Sequence, residues 1–220
     1  WIGLLYFFNF INGHVAATYN ADSKKSVVPE LMPRTLYWFR WGAAWTWFTG
    51  ILLMVWIFWM NEGIVFDGEA IAAKEAIDSG EDLLGDEEAI AERLVPYRHL
   101  AFILPFIMVF VYDYFYKCNC IKNVRVSTLI SYFSILGVFL LLHCVFGVLE
   151  YRALNIHIGA MFGSMMAFNV WFRIWPAQQQ IISAIKNGDA PDADLVATAG
   201  LRSKHNTYLS VPLIWTMISV

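Results

Sequence analysis

Two histidines inside apolar segments are the residues of this chain best suited to chemistry. His143 occurs in the segment 125–149 and His157 in the next segment, 154–175. If both segments are helices, His143 lies roughly 9 Å and His157 roughly 5 Å below the same end of the pair, at about 1.5 Å per residue. Neutral imidazole is a good iron ligand, and helix bundles hold haem between their helices. The spacing predicts that the two side chains ligate one metal or haem centre.

A structural role is the alternative for the same two histidines. Ionisable side chains inside a membrane are costly, and most face a bundle interior, a cavity or a cofactor. Both imidazoles could instead bond to backbone carbonyl oxygens or to Glu150, at the end of the first segment. Gly147 and Gly159 would let two helices, or a flat macrocycle, approach closely. The residue types therefore leave ligation and hydrogen bonding both open.

Six apolar segments position these histidines. A helix needs about 20 mostly apolar residues to cross about 30 Å of hydrocarbon, and 59% of this chain is hydrophobic. We predict an all-α fold, a polytopic transmembrane helix bundle with at least six spans. Because the sequence begins and ends inside apolar runs, we expect a single membrane domain, 1–220, that is truncated at both ends. The six segments are 1–19, 41–60, 99–116, 125–149, 154–175 and 207–220.

The charges between the segments predict the side of the membrane on which each loop lies. Lys and Arg occur near the segment ends in 20–40, 117–124 and 176–206, whereas 61–98 holds eleven carboxylates against three Lys and Arg. Loops rich in Lys and Arg face the cytoplasm. We therefore predict a cytoplasmic connection at 176–206 and an acidic, outward-facing insertion at 61–98.

Short amphipathic surface helices are expected on both sides. The sequence Glu-Ala-Ile-Ala occurs at 69–72 and again at 88–91, with Gly80 and Gly85 between the two copies, and it favours two short helices. Their acidic face is either simply solvated or a docking patch for a basic protein such as a cytochrome c. On the cytoplasmic side, the isoleucines after Pro176 predict a short interfacial helix.

A second group of polar residues lies in and after the fifth segment. Asn169 is inside that segment, and Arg202, His205 and Asn206 belong to the polar run 202–206. This run could cap the sixth helix or bind an anion. We therefore treat Asn169, Arg202, His205 and Asn206 as a candidate functional motif.

Several kinds of chemistry find no support in the sequence. The net charge of −3 is small and scattered, which argues against nucleic-acid binding. No Gly-rich phosphate loop and no Ser/His/Asp arrangement stands out. Without a Cys-x-x-Cys-His motif, this sequence carries no covalent c-type haem of its own. We expect free thiols at Cys118 and Cys120, in a cytoplasmic turn, and at Cys144, inside a span.

Four short motifs carry a family resemblance. They are Leu-Tyr-Trp-Phe-Arg-Trp at 36–41, Asn-Ile-His-Ile-Gly-Ala at 155–160, Asn-Val-Trp-Phe at 169–172 and the run 202–212 around His205. Together they resemble the N-terminal membrane domain of the bacterial cytochrome-c-type urate oxidases, or urate hydroxylases. The run around His205 is the most specific of the four.

The resemblance extends to individual histidines. His143, His157 and His205 fall on histidines that recur in that family, whereas His14 and His99 do not. The family's domain lies in the bacterial inner membrane, spans it several times and is usually followed by a C-terminal cytochrome c domain. The resemblance thus implies that electrons leave towards the outer face.

These observations lead to one expected function and one alternative. We expect a membrane redox protein in which His143 and His157 hold a b-type haem near the outer face and pass electrons to a cytochrome c. In the urate version of this activity, a purine binds nearby and is oxidised, so the protein would be an oxidoreductase. The alternative is a non-catalytic structural subunit of a larger respiratory or photosynthetic complex.

Overall fold

Helices account for nearly all of the chain that the structure describes. The computed structural model describes residues 1–61, 68–80, 86–118, 124–146 and 149–219, and no strand occurs among them. The all-α prediction is confirmed. The helices are α1 (Ile2–Ala17), α2 (Ala21–Trp59), α3 (Gly68–Ser79), α4 (Asp86–Lys117), α5 (124–146), α6 (Tyr151–Asn187) and α7 (Ala193–Ile218).

Polar side chains set the starts of three of these helices. Asn20 Oδ1 accepts a backbone N–H at 2.8 Å at the start of α2, and Asp192 Oδ1 does the same at 2.8 Å at the start of α7. Glu150 Oε2 accepts two N–H groups of the first turn of α6, at 2.7 and 3.4 Å. Such caps satisfy donors that have no partner inside the helix. The carboxylate of Glu150 is thus engaged by a helix start rather than by a histidine.

The connections between the apolar segments are more helical than the sequence predicts. The range 20–40 is not a loop, because α2 begins at Ala21 and continues through Pro29 and Pro33. Each proline removes one backbone donor, but the Leu, Lys, Glu and Arg residues around them favour helix. The range 176–206 is also mostly helical. Only a short turn separates α6 from α7 there, and Gly188, with φ of 85°, ends α6 in the left-handed conformation that suits glycine.

The predicted surface helices are partly correct. Helix α3 forms as expected and ends at Gly80, with φ of 71°. The second acidic helix is not separate, because it is the start of α4, which continues to Lys117. Gly85 lies outside the described residues. The predicted interfacial helix after Pro176 is the end of α6, and its Ile182 is buried in a hydrophobic core, so that helix is anchored in the protein.

Two helices in the described part of the chain are long and apolar enough to cross a membrane. They are α2, Ala21–Trp59, and α6, Tyr151–Asn187. Shorter apolar helices occur at Ile2–Ala17 and Leu129–His143. The number of six spans therefore stays a prediction.

The chain divides into two compact units. The terminal unit comprises Trp1–Thr49 and Phe162–Ile214, and the central unit comprises Gly50–Met161 and Trp215–Val220. A hydrophobic core organises the terminal unit, and its fully or nearly fully buried members come from α1, α2 and α6. They include Leu5, Phe39, Ala43, Met166, Val170 and Ile174.

In the central unit, a hydrogen bond of 2.7 Å joins the Tyr116 hydroxyl of α4 to the Ser131 hydroxyl of α5.

Cys118 follows the end of α4 and is disulfide-bonded. The prediction of a free thiol is therefore wrong for Cys118, and Cys120 lies outside the described residues.

Candidate functional site

His157 is the most completely enclosed ionisable side chain that the sequence singled out. It lies on α6 in the central unit and has an exposed fraction of 0%. Its Nδ1 is 2.6 Å from the carbonyl oxygen of Ala153, one helical turn earlier, and its Nε2 is 3.0 Å from Nε1 of Trp59. An indole N–H only donates, so Nε2 accepts and the ring proton lies on Nδ1. The two contacts therefore define a neutral imidazole with one tautomer.

Aromatic rings surround this imidazole. The Phe102 ring stacks on it, with centroids 5.3 Å apart and planes 22° apart, and the Trp59 ring lies nearly parallel at 6.4 Å. Phe58 approaches edge-on at 6.5 Å. Phe106 in turn packs its ring against Trp59. We call His157, Trp59, Phe58 and Phe102 the histidine cage. The cage shields the ring from solvent, and among the residues that the structure describes Trp59 is the polar neighbour of Nε2.

His143 occupies a different environment. Its side chain is exposed, and its ring stacks on Phe139, one turn earlier on α5, with centroids 5.8 Å apart. Among the described contacts, none joins the rings of His143 and His157. The prediction that both histidines ligate one centre thus stays a prediction. The described residues also contain no group of three or more His, Cys, Asp or Glu that could hold a metal ion; a two-histidine haem centre needs no such group.

Three residues of the candidate functional motif, Asn169, Arg202 and Asn206, form a buried cluster in the terminal unit. Asn169 and Asn206 are fully buried, and Arg202 is 3% exposed. Asn169 Nδ2 donates to Asn206 Oδ1 at 2.8 Å, and Asn206 Nδ2 donates to the Met166 carbonyl at 3.0 Å. Arg202 Nη1 lies 3.4 Å from Asn169 Oδ1. These contacts tie α7 to α6 through a chain of amides, which we call the amide cluster.

Two further hydrogen bonds tie α7 to α1. Asn9 Nδ2 donates to Ser203 Oγ at 2.8 Å, and the Tyr6 hydroxyl lies 3.0 Å from Ser210 Oγ. Sequence reasoning missed these residues. A signal was present, because Asn9 interrupts a run of phenylalanines and residues 203, 206 and 210 recur at helical spacing on one face of α7.

His205 belongs to the same polar run, and its surroundings lower its pKa. It lies outside the predicted spans and is partly buried. Burial lowers the pKa of His205 to about 4, and the positive charge of Arg202 also lowers it. The side chain is therefore neutral at pH 7.

Four candidate residues lie in π-helical turns, which are wider than α-helical ones. These turns are Phe7–Ile11 with Asn9, Val55–Trp59 with Trp59, Leu141–Phe146 with His143, and Asn169–Ile174 with Asn169. Such turns are rare in helices and frequently occur at functional sites. These turns could not be predicted, because the residue types in them are ordinary for apolar helices.

Comparison with known proteins identifies the family. A family model described as urate oxidase N-terminal matches residues 11–220, a range that includes the histidine cage and the amide cluster. No curated protein and no solved structure matches the chain. Because the match covers nearly the whole sequence, the chain belongs to the urate oxidase N-terminal family.

Proposed function

We propose that this chain is the membrane part of a redox protein that binds a b-type haem near the outer face and passes electrons to a cytochrome c. The observation that carries the proposal is the hydrogen-bond arrangement of His157. Histidines that ligate metals commonly donate the other ring N–H to a backbone carbonyl, which fixes the tautomer and the ring orientation. The Nδ1–H bond to Ala153 supplies that arrangement and leaves Nε2 as the ligating atom.

One of the residues present, His157, fits the role of a haem-iron ligand. His157 would ligate through Nε2, which in this structure accepts the Trp59 N–H, so binding requires Trp59 to release it. His143 is the candidate for the second position on the resemblance to the family. When bound, a haem supplies one-electron oxidation and reduction. The protein's own contribution is to hold a neutral, correctly oriented imidazole and to exclude water from it.

A location in the bacterial inner membrane, with several spans, is part of the proposal. The two helices long enough to span support it. Large apolar side chains that are more than half exposed also support it, because lipid rather than water would cover them. They include Trp38, Trp45, Trp56, Phe110, Tyr132, Phe133 and Phe172.

The acidic insertion gives the proposed electron acceptor a place to approach. The range 61–98 holds eleven carboxylates, and Glu75 and Asp78 on α3 are exposed. Long-range attraction of this kind accelerates encounter with a basic protein. A basic cytochrome c is therefore the partner that we propose for this surface.

Absorbance spectroscopy of the purified full-length protein tests the haem. We expect a Soret band that is lost in His157→Ala and weakened in His143→Ala. His14→Ala is the matched control, because His14 is exposed and outside the proposed site. A missing Soret band, or a band that is unchanged in both His157→Ala and His143→Ala, would contradict the proposal. Urate consumption by membranes with and without the intact gene tests whether a purine is the electron donor.

One observation favours the alternative of a non-catalytic subunit of a larger respiratory or photosynthetic complex. Both nitrogens of His157 already have partners within the protein, so the side chain is satisfied without a ligand. Co-purification with a large complex that carries no cofactor on this chain would support this alternative.

A further inference from the structure

Arg40 lies in an aromatic clamp in the terminal unit. Its guanidinium carbon is 4.1 Å from the ring centroid of Trp175 and 4.8 Å from that of Trp171. The two tryptophans are one turn apart on α6, so they offer adjacent rings to one cation. Both distances are within the range of cation–π attraction.

The clamp also contacts the backbone of Arg40. Trp171 Nε1–H donates to the carbonyl oxygen of Arg40 at 3.1 Å, and the ring of Trp41 packs edge-on against Trp171 at 5.3 Å. The backbone and the side chain of Arg40 are thus both held by the same tryptophan. A guanidinium fixed in this way loses little further freedom when it binds a ligand.

The charge of Arg40 is not matched by a protein anion in the described part of the chain. Its Nε is buried and has no hydrogen-bond partner there. Arg34, on the same helix, pairs with Glu30 at 3.3 Å, whereas Arg40 makes no such ion pair with the described residues. The guanidinium thus carries a charge without a described counter-ion, and an anion bound at its edge would neutralise that charge.

The surroundings indicate where that anion comes from. Tyr37, Trp38 and Trp41 are 49%, 69% and 37% exposed, and exposed Tyr and Trp are typical of the headgroup level of a membrane. The terminal unit carries eight Lys and Arg against five Asp and Glu. Both features favour the anionic headgroups of the cytoplasmic leaflet.

We propose that Arg40, held by Trp171 and Trp175, binds the phosphate of an anionic phospholipid headgroup. Guanidinium binds phosphate through two parallel N–H donors. The stacked rings position this edge, and the exposed aromatic residues receive the rest of the lipid. The site is separate from the histidine cage, and it rests on the proposed membrane location.

Thermal unfolding of the purified full-length chain in neutral detergent tests the site. Phosphatidylglycerol, phosphatidylcholine and inorganic phosphate are added separately. We expect phosphatidylglycerol to raise the Tm of the wild type by roughly 5 °C at about 100 times its Kd. Phosphatidylcholine and inorganic phosphate should have a much smaller effect. Arg40→Gln should abolish the shift, and Arg40→Lys, which keeps the charge but not the planar fork, should reduce it.

Arg34→Gln is the matched control, because it removes a positive charge from the same helix at an exposed, ion-paired position. It should leave the shift unchanged. A shift lost equally in Arg34→Gln, or an equal effect of phosphatidylcholine, would overturn the proposal. Stabilisation by inorganic phosphate alone would support a phosphate site and overturn the lipid as its source.

Membrane fractionation separates failure of this site from failure of the proposed function. Wild type and Arg40→Gln should both sediment with membranes. If the wild type does not, the membrane location itself is wrong. If it does, but phosphatidylglycerol gives no shift, only the lipid site is wrong.

Discussion

The two units bury polar groups in opposite ways. In the central unit, one imidazole stands among rings, and its Nε2 depends on a single N–H from Trp59. In the terminal unit, Asn169 and Asn206 are equally buried, but the Asn169 amide donates to Asn206, which donates in turn to the backbone carbonyl of Met166. A single donor is exchangeable, whereas a chain of amides loses several bonds when one member leaves. The comparison therefore supports the proposal that the first region binds a ligand, and it indicates a structural role for the second.

Removing Asn206 should give the largest loss of stability. Asn206→Ala leaves the Nδ2 of Asn169 without its 2.8 Å acceptor and frees the carbonyl of Met166. The loss of these two buried hydrogen bonds should lower the free energy of unfolding by about 4 kcal/mol in total. Denaturant unfolding in detergent measures this loss. Asn187→Ala, at an exposed position, is the control and should change stability little; equal losses would contradict the architectural role of the cluster.

The second-largest loss of stability is expected from His205 when the pH is lowered. Its folded-state pKa of about 4 lies below the ordinary value of 6.5, so between these pH values the unfolded chain binds more protons. The free energy of unfolding should therefore fall as the pH is lowered from 6.5 to 4, by about 3 kcal/mol from this group. Unfolding measured across this pH range checks the slope.

The matched variants are His205→Gln and His14→Gln. The first should remove this part of the pH dependence, while the second, at an exposed histidine, should retain it. A slope that persists unchanged in His205→Gln would show that other groups cause it.

Trp59→Phe should distinguish an exchangeable partner from a structural one. The change keeps an aromatic ring but removes the N–H that Nε2 of His157 accepts, at a cost of about 1 kcal/mol in stability. If Nε2 is a ligating atom, this variant should bind added haemin roughly five- to tenfold more tightly than the wild type, because Trp59 no longer competes. Absorbance titration in detergent measures the affinity.

Trp56→Phe is the control for this substitution. Trp56 lies in the same wide turn and is 72% exposed, so its replacement should not alter haemin affinity. Equal haemin affinities in wild type, Trp56→Phe and Trp59→Phe would indicate that Trp59 and His157 have a structural role, as the residues of the amide cluster do.

The smallest effect is expected between α1 and α7. Asn9→Ala removes the 2.8 Å bond to Ser203 Oγ at a partly buried position, which should cost about 1 kcal/mol. Asn12→Ala, on the same helix and also partly buried, is the control. Denaturant unfolding should place Asn9→Ala well below Asn206→Ala; a larger loss would move the centre of the polar network from α6 to α1.

The all-α fold could be predicted because it follows from local composition. Long apolar runs have no other way to satisfy their backbone in lipid, and an imidazole inside such a run is expected to be either hydrogen-bonded or ligated. Asn169, Arg202 and Asn206 could be singled out as polar residues in and after an apolar segment, but their mutual contacts could not be predicted, since pairing across 33 to 40 residues leaves no trace in local pattern.

Other features depended on tertiary contacts and could not be predicted. The contact between Trp59 and His157 could not be predicted, because it depends on α6 lying beside the end of α2. The continuity of α2 through Pro29 and Pro33 was missed because prolines and charges in a row are typical of loops. The partner of Nε2 and the wide turns both arise from packing, which the residue order does not display.

The proton on Nδ1 of His157 has a consequence for anything that replaces Trp59. Because the Ala153 carbonyl holds that proton, the opposite nitrogen always presents an electron pair. Lewis acids and proton donors can take the vacated position, whereas carbonyls, halides and other electron-rich species are repelled from it. By fixing the tautomer, one backbone carbonyl on α6 thereby restricts Nε2 to ligands that accept an electron pair or donate a proton.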